Sequence, residues 1–130
     1  MFKVEARLFI IINFFLLLFL IACKKIIPMK ELVFKDCEIY FNNKLFTGKY
    51  ELFKGDKYIL SISKEGEIKI QKTFKNDILL MEKKYDSCDS GIQKVYDSKG
   101  NKISEGKFIK GKRVGNWKYF IKDSIYFIKY

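Results

Sequence analysis

Residues 111–120 read GKRVGNWKYF. A Gly-rich turn is followed by strict alternation. Trp117, Tyr119 and Ile121 fall on one side, and Lys118, Phe120 and Lys122 on the other. Period-two alternation leaving a glycine turn predicts a β-strand of a hairpin. Gly115 supplies either a positive φ or a close backbone approach, both of which a Cβ obstructs.

The pattern recurs along the chain. Gly115, Trp117 and Phe120 have the spacing Gly-x-ring-x-x-ring. Gly48, Tyr50 and Phe53 repeat it, and Gly91, Gln93 and Tyr96 repeat it with Gln93 in place of a ring. In a second echo, Gly66 and Phe74 stand 34 residues before Gly100 and Phe108. Self-similar units with turns every ten or so residues predict a hairpin array, in which each unit relies on its neighbours to bury its apolar face.

These residues resemble the bacterial MORN-variant repeat. Tyr96, Gly100, Gly106, Phe108, Gly111, Gly115, Trp117 and Phe120 match its rhythm of tyrosine, spaced glycines and Gly-x-Trp-x-x-ring. Leu45 to Lys57 (LFTGKYELFKGDK) is similar to a shorter variant of the same repeat. The middle departs from the pattern: Asp77 stands where glycine is usual, and residues 79–84 lack Gly-x-Trp. The resemblance implies extended antiparallel β-hairpins and a role in binding or scaffolding rather than a reaction. Some members of the family are labelled antitoxins, so the alternative it implies is an antitoxin-like or immunity protein that neutralises a toxin at the membrane.

The N-terminus reads as an address. Lys3 and Arg7 precede an apolar run from Leu8 to Ala22, interrupted only by Asn13, and Leu20-Ile21-Ala22-Cys23 follows the layout of a lipobox. Basic start, apolar segment and small residue before the cut describe a signal peptide. Fifteen residues fall short of the roughly 20 that span a bilayer. The expectation is a signal helix over residues 1–22, a lipidated tether over 23–36 attached through Cys23, and a β-repeat domain over 37–130. The mature chain would carry a formal charge of +10. It would be lipid-anchored to the cell membrane or outer membrane, facing the periplasm or the exterior. Lys24 and Lys25 can lie against anionic head groups. Within the tether, Met29 to Phe34 reads as either a helical turn or an edge strand. Outside the cytoplasm Cys37 and Cys88 either pair as a disulfide or remain separate thiols.

From Glu38 onward short alternating segments are divided by polar turns such as Asn42-Asn43, Lys54-Gly55-Asp56 and Lys75-Asn76-Asp77. No segment of the mature chain carries a sustained 3.6-residue apolar stripe. The fold class expected is all-β, with seven to nine strands in an extended, twisted meander of antiparallel hairpins. The unpaired edges of such a sheet can also associate edge to edge.

The chain has no histidine, which removes the commonest general base and a common metal ligand. It has no CxxC pair, no Gly-x-Ser-x-Gly elbow and no phosphate-binding glycine loop. The expectation is a non-enzyme with no cofactor and no metal. What remains is a basic, ring-rich surface: the net charge is +11 and aromatics make up 17% of the residues. Tyr50, Lys112, Arg113, Trp117, Tyr119 and Phe120 are the candidate contact face for another protein or for anionic lipid. Cations interleaved with rings also suit nucleic acid, but an exported address argues against that partner. The competing reading makes each ring part of a core or cross-strand ladder.

Overall fold

The computed structural model describes residues 25–130. The expected signal helix and Cys23 lie outside the described residues. Two-residue turns build most of the architecture. At Asp36-Cys37, Asn42-Asn43, Glu65-Gly66, Asn76-Asp77 and Lys110-Gly111, both central residues have positive φ. That geometry matches the right-handed twist of the flanking strands and joins them as tight hairpins.

The strands are β1 (Ile26–Pro28), β2 (Val33–Lys35), β3 (Glu38–Phe41), β4 (Lys44–Leu45), β5 (Gly48–Lys54), β6 (Lys57–Lys64), β7 (Glu67–Lys75), β8 (Ile78–Tyr85), β9 (Ser90–Tyr96), β10 (Lys102–Ile109), β11 (Lys112–Ile121) and β12 (Ser124–Lys129). Among the described residues one 3-10 turn spans Met29–Glu31. Strands β5 to β12 form an antiparallel meander in chain order, and β1 joins β5 in parallel to complete a nine-stranded sheet. Strands β2, β3 and β4 form a separate three-stranded sheet. The all-β expectation holds, with a long, mostly antiparallel meander.

Residues 25–36, the segment expected as a tether, join the fold through a 3-10 turn over Met29–Glu31 and the strand β2, the two forms the sequence left open for Met29 to Phe34. Ile27 and Leu32 are buried in the core, and Val33–Lys35 pairs with β3. The apolar side chains of this segment explain its docking. Alternation alone reads Leu45 to Phe53 as one strand, but Phe46 turns inward and separates β4 from β5. Its backbone instead bridges the two sheets: Phe46 N–H donates to Ile39 O, and its carbonyl accepts from Gly66 N–H and the Ser63 hydroxyl.

The main core lies where the small sheet covers one end of the large one. Ile27, Leu32, Ile39, Phe46 and Tyr50 are buried there, with Met29, Phe41 and Ile68 against them. Phe46 meets Phe41 and Tyr50 edge-on, with centroids 6.2 Å apart in both pairs. Cys37 and Cys88 are joined as a disulfide with Cα atoms 5.5 Å apart. The bridge ties the β2–β3 turn to the β8–β9 loop, and closing so long a loop restricts the unfolded chain by roughly 4 kcal/mol.

Farther along the meander, the register aligns a row of charges on one face. Lys72, Glu82, Lys94, Glu105 and Lys118 lie opposite one another on successive strands β7 to β11. Lys72 Nζ is 3.7 Å from Glu82 Oε2, and Lys102 Nζ, on β10 itself, is 2.8 Å from Glu105 Oε2. Opposite charges facing across strands favour this register, and a one-residue slip would move every member to the other face.

Glu82→Lys places three lysines in a row and should cost about 1–2 kcal/mol, read as a lower urea midpoint. The ladder also has a pH signature. The hydrogen bond from Lys102 holds the Glu105 carboxyl below its ordinary value of 4.5, with Lys118 and Lys94 adding to the effect. A carboxyl that is more acidic folded than unfolded contributes fully above its unfolded value and loses that contribution as pH falls through the folded value. Below pH 4.5, Glu105→Gln should therefore lose less stability on acidification than the wild type, as urea titrations at stepped pH would show.

Candidate binding surface

The six predicted contact residues do not form one surface. Tyr50 belongs to the main core, where burial raises its hydroxyl pKa. Trp117 is completely buried, at 0% exposure. It is therefore a core residue and not a contact ring. The reason lies across the β10–β11 ladder. The register between these strands shifts at Glu105/Lys107, leaving Gly106 opposite a bulge in β11. Gly115 lies in that bulge with φ of +67° and open space where a Cβ would project. Positive φ, rather than close approach, is what this glycine provides. The bulge turns Trp117 across the strand onto Gly106, where an added Cβ would lie 2.5 Å from the indole ring. The Trp117 indole N–H donates to Lys107 O at 2.8 Å, which satisfies its only polar atom.

Arg113 closes over this ring. Its guanidinium carbon lies 4.6 Å from the Trp117 centroid, 5.9 Å from that of Tyr119 and 5.7 Å from that of Tyr130. Its Nη1 donates to the Tyr119 hydroxyl at 2.5 Å and to the Tyr130 hydroxyl at 3.2 Å. The two hydroxyls are 2.6 Å apart. Hydrogen bonds from Tyr119 and Arg113 lower the Tyr130 pKa. Arg113 is thus occupied as an intramolecular lid, although its outer edge stays exposed. Lys112 and Phe120 belong to the opposite face by strand alternation. Phe120 lies beneath Lys102 Nζ, 4.8 Å from its centroid.

The exposed apolar surface is elsewhere. In β12, Ile125 is 56% exposed, Tyr126 53%, Phe127 63% and Ile128 47%, and all six residues of the strand are classed as open to solvent. Neighbouring Ile121 is 56% exposed. Tyr126 and Ile128 face one side of the sheet, and Ile125 and Phe127 the other. Among the described residues β12 pairs only with β11, so its outer backbone edge has no strand partner. The sequence carried a sign of this: SIYFIK does not alternate, so no polar face marks a solvent side.

A cavity of about 360 Å³ opens beside the disulfide, between the small sheet and β7–β8. Asp36, Glu38, Glu67 and Asp86 line it with Lys69 and Tyr85. Lys69 is paired with Glu67. Among the described residues no group of three or more carboxylates and thiols is arranged to hold a metal ion.

Trp117→Ala should destabilise the fold by about 3–5 kcal/mol, the usual cost of emptying an aromatic site. Gly106→Ala should cost about 1–3 kcal/mol through overpacking against the same ring. Thermal melting of both variants against Lys112→Ala, which should stay near wild type, separates core from surface on this hairpin. No protein-family model, curated protein or solved structure matches the chain.

Proposed function

We propose that this chain is a non-catalytic binding or scaffolding module, held at a bacterial membrane by lipid on Cys23, that docks a partner through its C-terminal hairpin. The observation that carries the docking role is β12, a six-residue edge strand with all of its apolar side chains in solvent. Isolated apolar residues on a surface are ordinary, whereas a contiguous apolar strand with an open backbone edge is a template for pairing. Natural sheets blunt such edges with central charges or proline. β12 has neither between Ile125 and Ile128.

The anchoring role rests on the order of basic residues, apolar run and lipobox over residues 3–23. The repeat-like glycines and rings over 96–120 support a scaffold, since they build hairpins and place no reactive group. Strand order adds a spatial consequence. β1, adjoining the proposed anchor, and β12 occupy opposite edges of the large sheet. Eight strand spacings separate them, so the sheet can hold its docking strand up to about 40 Å from the lipid attachment.

Intact mass and membrane partition of the wild type against Cys23→Ser test the anchor. The wild type should begin at residue 23, carry acyl mass and sediment with membranes. Cys23→Ser should retain residues 1–22 without acyl mass. A full-length, unacylated wild type would overturn the reading.

A further inference from the structure

We propose that the partner of β12 is the β12 strand of a second copy, paired antiparallel about a twofold axis across which Tyr126 faces its own copy. This rests on the reading of β12 as the docking element and adds the identity and register of its occupant.

The large sheet has two edges. One is β1, only three residues long and ending in Pro28, which has no N–H to donate. The other is β12, six residues long and free of proline. A sheet with one competent edge joins a copy of itself through that edge and stops. Such a contact is isologous and yields a closed dimer rather than a fibre.

In antiparallel self-pairing about an axis normal to the sheet, facing residues must share a face, so one residue faces its own copy across the axis. Three central choices exist. With Ile125 on the axis, Lys122 faces Ile128 and Asp123 faces Phe127, setting charges against apolar groups. With Phe127 on the axis, Lys129 faces Ile125. With Tyr126 on the axis, Ile125 faces Phe127 and Ser124 faces Ile128, and Asp123, the turn residue just before β12, is brought beside Lys129 at both ends. Only this register combines apolar contacts at the centre with two opposite-charge pairs at the ends. Facing opposite charges stabilise a strand pair, and charges set against apolar groups do not.

A six-residue edge contact falls below the buried area of standard stable interfaces, so the copies associate weakly when free. Tethering both to one membrane raises their effective concentration and favours pairing without any new contact. Lipid anchoring and edge pairing then reinforce each other.

Cysteine cross-linking of the full chain in membranes tests the proposal. Facing Cα atoms of an antiparallel pair lie roughly 4.5–5.5 Å apart, within the range a disulfide spans. On mild oxidation Tyr126→Cys should give a reducible dimer in at least fivefold excess over Ser124→Cys or Ile128→Cys alone. Ser124→Cys and Ile128→Cys chains co-expressed should cross-link to each other. Adding Asp123→Lys to Tyr126→Cys should cut the dimer several-fold, and adding Lys129→Asp to that chain should restore it. These positions are exposed, and the rescue separates loss of pairing from loss of folding.

Equal cross-linking at all three single positions, or none at Tyr126→Cys in membrane-bound protein with acylated Cys23, would overturn the dimer while leaving the anchor in place. Specific Tyr126→Cys cross-linking in protein whose Cys23 is unmodified would support the dimer and overturn the anchor.

Discussion

Beyond β7 the large sheet has no second layer among the described residues, so its strands are held chiefly by their lateral neighbours. Three devices do this. Backbone ladders run through each hairpin, with register set by tight positive-φ turns. An alternating row of lysine and glutamate crosses one face from β7 to β11. On the other face, rings lie over neighbouring strands: Trp117 on Gly106, and Phe108 between Tyr85, 5.3 Å away, and Lys83 Nζ, 5.0 Å away. Individually these cross-strand pairs are small, about 0.2–1 kcal/mol each. They act together because a slip in any one register would displace the whole row.

The two ends of the meander differ in kind. At the β5–β7 end the small sheet supplies a compact apolar core, and Phe46 stitches the two sheets by main-chain hydrogen bonds. The disulfide extends this cover toward β8–β9. Toward the far end the buried rings are Phe108 and Trp117, the latter sealed by Arg113 and two tyrosines. Past that seal β12 is left with open faces and an open edge. Cover thus declines along the meander, and the least covered strand is the one best suited to gaining a partner.

Much of the sheet was legible because its signals are local. Alternation and turn residues located the strands from Glu38 to Tyr130 within a few residues. The burial of Tyr50 and Trp117 was not legible. A ring on an alternating strand looks the same whether its face meets solvent, a second sheet or a glycine across the ladder. Gly106 and Trp117 are eleven residues apart, and only the bulge at Gly115 brings them together. The charge row was hidden for the same reason, since its members are neighbours only once all four registers are known. The parallel placement of β1 depends on contacts between Ile27, Leu32 and residues far along the chain, which local periodicity does not encode. The β12 edge carries a readable sign in four consecutive apolar residues, Ile125 to Ile128.

If lateral pairing holds the uncovered strands together, they must open as one unit with the covered end. Native-state amide hydrogen exchange, resolved strand by strand, measures this directly. The account predicts that amides of β7 to β10 share one opening free energy with β5 and β6, while those of β12 facing its outer edge exchange fastest. Rapid exchange throughout β8 and β9, with protection confined to the core beneath the small sheet, would contradict it.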